Sequence, residues 1–249
     1  MFNLLPTEAK RQMDTFHTQW EILNTNIIRS ARQHNISCPI ERIFRAVDHE
    51  GDMTMAEFLQ TLDEILFTNI DITANVLVFM LTNLATHRPF QESLHAEIMQ
   101  ERNRPSYDIA QYIGRQDTLL HYLGMECVRL RPAFWFSLPE CTAVEKIIGK
   151  YRIPAQTPAV IDVRRLNSNP ITWGSDGDVF RPERFAGLSS AQYRYGFMRF
   201  GVGSGKCMGK HMADVLLKMT AVAVLERYEI GPVVVGGEVK DGEITFAKR

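Results

Sequence analysis

The chain has 249 residues, 45% of them hydrophobic and 23% charged, a globular rather than a disordered composition. Its formal net charge of -1 excludes a globally basic nucleic-acid binder and leaves only local basic patches open. Cysteines at positions 38, 127, 141 and 207 fit no CxxC or short-spaced framework, which points to a reduced, intracellular compartment.

The opening MFNLLPTEAKRQMD turns polar within a few residues, so no secretory leader is expected. Pro6 and Thr7 start a helix that runs to about Gln33, with Phe16, Trp20, Leu23 and Ile27 recurring at helical spacing. The Cys38-Pro39 pair breaks that pattern. Thr54, followed by Glu57, predicts the N-cap of a second long helix that ends near Ala85, before Pro89. Its apolar part, Leu62 to Leu84, is interrupted by Asp63, Glu64, Asn69, Asp71, Asn75 and Asn83, so no membrane span is expected in this chain. Shorter helices fit Phe90 to Arg102 and Gln116 to Arg131, the latter stopped by Pro132.

Beyond Pro132 the texture changes. Short β-prone runs at Ala133 to Ser137, Lys150 to Ile153 and Pro158 to Val163 alternate with Pro and Gly. Residues 164 to 206 read as largely irregular, a length that suggests function rather than simple connection. A last helix is expected from near Cys207 to about Arg227, and two weak strands within 228 to 247. The predicted fold class is mainly α with small β-sheets, without repeats or low-complexity segments.

Residues 199 to 210, RFGVGSGKCMGK, invite two readings. A phosphate-cradling Gly-x-x-x-x-Gly-Lys-[Ser/Thr] loop fails, because Gly205-Lys206 would need glycine where Phe200 stands and a hydroxyl where Cys207 stands. A thiolate-presenting Phe-x-x-Gly-x-x-x-Cys-x-Gly frame fits at Phe200, Gly203, Cys207 and Gly209. At this chain's own composition, a chance match anywhere along it has a probability on the order of one in a thousand. A thiolate beneath a flat ring needs backbone that approaches closely, which glycine allows. A helix start behind the cysteine would favour the anion. His211 lacks a second Cys/His pair at ligand spacing and is read as an ordinary helix residue.

This loop resembles the haem-ligand loop of the cytochrome P-450 family, and three further segments resemble that family in the same order. Thr68 to Ala74 is similar to its oxygen-binding segment, with Asp71 on the acid position and Thr73 on the second threonine. Asn69 replaces a glycine there and Ile72 replaces the first threonine. Glu126 and Arg129 form a Glu-x-x-Arg pair on one helix face, and FRPERF at 180 to 185 supplies Arg184. In the family these three form a buried ion network of structural role.

The resemblance implies the C-terminal portion of the cytochrome P-450 fold, with residues 1 to 249 a single truncated domain and the family's N-terminal half absent. It implies haem with Cys207 as axial thiolate, and Phe200, Gly203 and Gly209 shaping the loop. The implied activity is a monooxygenase that inserts one oxygen atom of O2 into a small organic substrate, with Asp71 and Thr73 in proton delivery. Residues 133 to 138 (AFWFSL) would line the substrate pocket. The FRPERF wording and the unusual distal helix are similar to eukaryotic secondary-metabolite tailoring enzymes, a class that includes fungal ones. An NADPH-dependent flavoprotein reductase would dock over Arg194, Arg199, Lys206 and Lys210. The parent would be anchored to the endoplasmic reticulum membrane, with the anchor outside this chain. This chain alone is expected not to be a competent monooxygenase.

One departure concerns position 205, where glycine replaces the Arg or His that meets a haem propionate; Lys206 and Arg199 are candidates to stand in. Two alternatives stay open on these residues. One is a non-catalytic fragment without haem. The other is a haem-thiolate isomerase or coupling enzyme, suggested by Ile72.

Overall fold

In the computed structural model, which describes residues 7–51, 53–236 and 238–249, Thr7 begins the first helix, and Pro6 lies outside the described residues. The Thr7 hydroxyl accepts from the Lys10 amide at 3.2 Å and caps α1 (Glu8–Gln33). Pro39, expected only to break the pattern, is the first residue of a further helix, α2 (Pro39–Glu50). Proline is tolerated there because the first amides of a helix have no intrahelical partner. Gly51 ends α2 in the left-handed conformation, at φ 68°.

Thr54 and Glu57 exchange bonds at the start of α3 (Met55–Thr86): the Thr54 amide donates to Glu57 Oε2 at 2.8 Å, and the Glu57 amide donates to Thr54 Oγ1 at 3.3 Å. Among the described residues only α3 is long and apolar enough to cross a bilayer, a test that core helices of soluble proteins also pass.

The chain divides into two compact units, Met1–Asp71 and Ile72–Arg249. In the first, α1 packs on α2, and buried Glu41 accepts from Arg45 at 2.8 Å with Arg32 at 3.5 Å. Phe44 meets Phe58 edge-on at 5.3 Å, and Trp20 Nε1 donates to the Leu59 carbonyl at 3.0 Å.

The second unit holds the main core. His87 separates α3 from α4 (Arg88–Arg102), so Pro89 sits inside the new helix's first turn. Next come α5 (Ile109–Gly114), capped by Asp108, and α6 (Leu119–Leu130), capped by Thr118. The core joins Leu84, Leu94, Ile98, Leu120, Leu123 and Cys127, and burial pushes the Cys127 thiol well above its usual range.

After α6, a hairpin pairs β1 (Lys146–Ile148) with β2 (Tyr151–Ile153). The runs around 133–137 and 158–163, expected as strands, make only isolated bridges, Phe136 with Asp162 and Glu140 with Ala159. Pro139 and Pro158 offer no amide there, which interrupts any ladder. The stretch expected as irregular is broken into short pieces: α7 (Val163–Asn167), α8 (Pro170–Trp173), a 3-10 helix (Pro182–Gly187), α9 (Ser190–Tyr193) and a 3-10 turn (Gly203–Gly205). The long α10 (Lys210–Leu225) follows and adds Leu217, Ala221 and Leu225 to the core.

Two antiparallel strands, β3 (Tyr228–Val235) and β4 (Glu238–Lys248), close the chain, with a register irregularity between Pro232 and Val234. Buried Gln91 ties α4 to β3. Its Nε2 donates to the Leu84 and Ile230 carbonyls at 2.8 Å each, and its Oε1 accepts from the Ile230 amide at 2.9 Å.

Candidate functional site

Glu126 and Arg129 lie one turn apart in the C-terminal half of α6, both fully buried, and Arg184 reaches them from the Pro182–Gly187 turn. Arg129 meets both carboxylate oxygens, Nε to Oε2 at 2.7 Å and Nη2 to Oε1 at 2.8 Å. Arg184 Nε donates to Oε1 at 3.0 Å, and the Arg181 amide donates to the same oxygen at 2.9 Å. The remaining guanidinium hydrogens go to main-chain carbonyls. Arg129 donates to Asn167 at 2.7 Å and to Gly177, while Arg184 donates to Asp176 and Val179 at 2.9 Å each.

From this cluster an ordered path leads to the cysteine loop. Trp173 lies under the Arg129 guanidinium at 4.8 Å, and its Nε1 donates to the Gly196 carbonyl at 2.9 Å. A side chain at Gly196 would collide with Thr172, so the approach needs glycine. Buried Asn167 clasps Met198 on both sides, accepting from its amide at 2.8 Å and donating to its carbonyl at 3.1 Å. Asn167 and Trp173 escaped the sequence reading. Their partners are 31 and 23 residues away, and no local pattern announces such pairs.

Arg199 follows, and it does not belong to the surface cluster of cations expected there. Its side chain is 24% exposed and donates to Asp214 Oδ1 at 3.2 Å and to Met125 Sδ at 3.0 Å. Asp214 is shared with buried Lys218, whose Nζ lies 2.9 Å away and also donates to the Ile113 carbonyl. The guanidinium stacks over Phe200 at 4.7 Å.

The Cys207 amide donates to the Phe200 carbonyl at 2.8 Å and closes the loop. Gly203 takes φ 63° at its turn, a left-handed conformation that suits glycine. Cys207 is exposed, and a Cβ at Gly209 would lie 3.9 Å from its Sγ. The final helix begins at Lys210, with Gly209 as N-cap, so Cys207 precedes the helix rather than starting it. Exposed Val202 and Met208 flank the thiol with apolar surface. The loop thus offers one accessible sulfur on closely approachable backbone with apolar neighbours, which fits a flat, largely apolar prosthetic group carrying a metal.

On α3, Asp71 is exposed and Thr73 half-buried. Two residues apart on a helix, they point about 200° away from each other and do not share a face. Phe134, Trp135, Phe136 and Leu138 are exposed, and Trp135 carries the Arg164 guanidinium over its ring at 5.3 Å.

A sequence model of the family described as cytochrome P-450 matches residues 6–243. The chain belongs to the cytochrome P-450 family. It is 48% identical to the cytochrome P-450 monooxygenase lepD of Aspergillus flavus, covering 98% of this chain and 48% of that protein. It is also 48% identical to the cytochrome P-450 monooxygenase apdB of Emericella nidulans (95% and 51% covered). Identity to the cytochrome P-450 monooxygenase opdB of Penicillium oxalicum is 45% (92% and 47% covered). The chain therefore spans about half the length of the curated relatives it matches. Membership implies a haem cofactor in general, and the Cys207 loop has the chemistry to receive one.

Two outcomes follow from this geometry. Glu126→Gln removes the charge that two buried guanidinia share and should cost about 3–5 kcal/mol in urea unfolding. The exposed Glu145→Gln should stay within about 0.5 kcal/mol. Comparable small effects for both would contradict the network's role. Separately, His121 is held at about 4 by burial and then by the Lys218 charge, with Asp214 opposing, and its Nδ1 is buried without a partner. Between the usual value of about 6.5 and about 4 the unfolded chain takes up a proton that the folded chain refuses. Stability should therefore fall as pH drops through that window and level off below it. His121→Gln should flatten part of the slope, and an unaltered slope would contradict this.

Proposed function

We propose that this chain is the thiolate-bearing portion of a haem-thiolate monooxygenase that inserts one oxygen atom of O2 into a small organic substrate in secondary-metabolite biosynthesis. The observation that carries the reading is the loop itself: Phe200, Gly203, Cys207 and Gly209 at family spacing, with the cysteine exposed at a glycine-bent turn. Family membership and monooxygenase-named relatives support it.

Haem, when bound through a thiolate, supplies the oxygen activation. The chain's part is to hold and surround it. Cys207 Sγ provides the negative ligand, and metal coordination keeps that sulfur deprotonated. Gly203 and Gly209 let the loop lie close to the ring, and the bond from the Cys207 amide to Phe200 fixes the loop's width. Asp71 and Thr73 contribute to proton delivery separately, each from its own face of α3, and not as a direct relay. Phe134, Trp135, Phe136 and Leu138 present apolar surface to the substrate and exclude water from it.

The electron donor is an NADPH-dependent flavoprotein, received by exposed Lys206 and Arg194 with half-buried Lys210. The side chains of Lys206 and Lys210 interact directly, which holds the Lys210 ammonium pKa below its usual range. Two adjacent, incompletely neutralised cations attract an acidic partner. Arg199 takes no part, being held by Asp214. The setting is intracellular, with the full-length protein at the endoplasmic reticulum membrane.

Cys207→Ser tests the ligand. The reduced, carbon monoxide-bound spectrum of a longer parent containing this chain should show the red-shifted Soret band of thiolate ligation. The substitution should abolish that band. A band that persists in the substituted protein would overturn the assignment.

A further inference from the structure

Gly205 stands two residues before Cys207, where the family resemblance implies a cation. A Cβ placed on Gly205 would lie 3.2 Å from Glu140 Oε1. Gly205 is not among the glycines of positive φ, so its backbone would accept a side chain. What distinguishes the position is a carboxylate beside it. Glu140 is held there through its main chain: its amide donates to the Ala159 carbonyl at 3.0 Å, and the Ala159 amide returns a bond to the Glu140 carbonyl at 2.8 Å. Arg199, one candidate stand-in for the cation, is instead held by Asp214 and Met125.

We propose that Glu140 places a negative charge at this edge of the cysteine loop, where the family resemblance implies a cation. An anionic propionate then meets repulsion rather than an ion pair at position 205. The inference rests on the reading of Cys207 as the haem ligand. It makes the loop selective in a particular way: the sulfur and the apolar flanks hold the ring, while the 205 edge disfavours a charged substituent. It also explains why glycine suits position 205. A cation introduced there would pair with Glu140 before it reached a propionate.

Haemin titration of the 249-residue chain, carried out at low salt, tests this. Glu140→Gln should tighten haemin binding about twofold to fivefold, the scale of one partly exposed charge interaction. Gly205→Arg alone should gain less, because the introduced guanidinium faces Glu140, and the double substitution should exceed the two single effects combined. Haemin dimethyl ester, whose propionates carry no charge, should bind the unsubstituted and Glu140→Gln chains equally, a distinction that a purely structural effect would not produce. Equal haemin affinity for those two chains, or the same gain with the ester, overturns the proposal. If haemin binding shows no dependence on Cys207, the ligand reading fails, and Glu140 is decided by the protein alone. Gly205→Arg should then raise the melting temperature at low salt when Glu140 is present and not when it is replaced by Gln. No such difference overturns the proposal on its own.

Discussion

A single carboxylate, Glu126, sits fully buried between two guanidinia, and the second half of this chain is arranged around it. Taking three charges out of water is costly, and such a cluster persists only when geometry is good and every remaining donor finds an acceptor. Both conditions are met. Glu126 accepts from Arg129, Arg184 and the Arg181 amide, and the leftover guanidinium hydrogens end on the carbonyls of Asn167, Asp176, Gly177 and Val179. These carbonyls lie in a stretch with no long helix and no ladder of its own. Main-chain groups buried there still need partners. The ion cluster supplies them in place of secondary structure.

From that cluster, order passes outward by short, specific contacts. Trp173 carries it from Arg129 to Gly196, Asn167 carries it to Met198, and Arg199 ties the next residue to Asp214 on α10. Phe200 and Cys207 then close the loop through one backbone bond. The thiol is exposed, yet the backbone that presents it is fixed on both sides. On the proposed reading of Cys207 as a metal ligand, that combination sets the geometry before the metal arrives. Electrostatics around the loop are divided in the same economical way: Arg199 is drawn inward, while Lys206 and Lys210 stay at the surface.

Much of this was legible from residues alone, and what escaped did so for physical reasons. Some helix starts could be read because their signals are local: Thr7, and Thr54 with Glu57, cap as side-chain oxygens near the first free amides. The Glu-x-x-Arg pair was readable from its spacing, and Arg184 from its motif. Helix α2 is hidden in the sequence because Pro39 reads as a breaker, although proline suits the first turn of a helix as well. Strand propensity at Ala133 to Ser137 misled because proline interrupts the pairing. Asn167, Trp173 and the inward turn of Arg199 depend on partners brought close only by folding. Glu140 belongs with them: nothing near it in the sequence says that it lies beside Gly205.

The buried ion cluster orders the irregular stretch leading to the cysteine loop. Amide hydrogen exchange on the 249-residue chain tests it most directly, through the Arg181 and Met198 amides, which are bonded to Glu126 and Asn167. If the cluster sets this order, both should exchange as slowly as the centre of α6, opening only with the whole unit. Fast exchange at Arg181 and Met198, with α6 still protected, would contradict it.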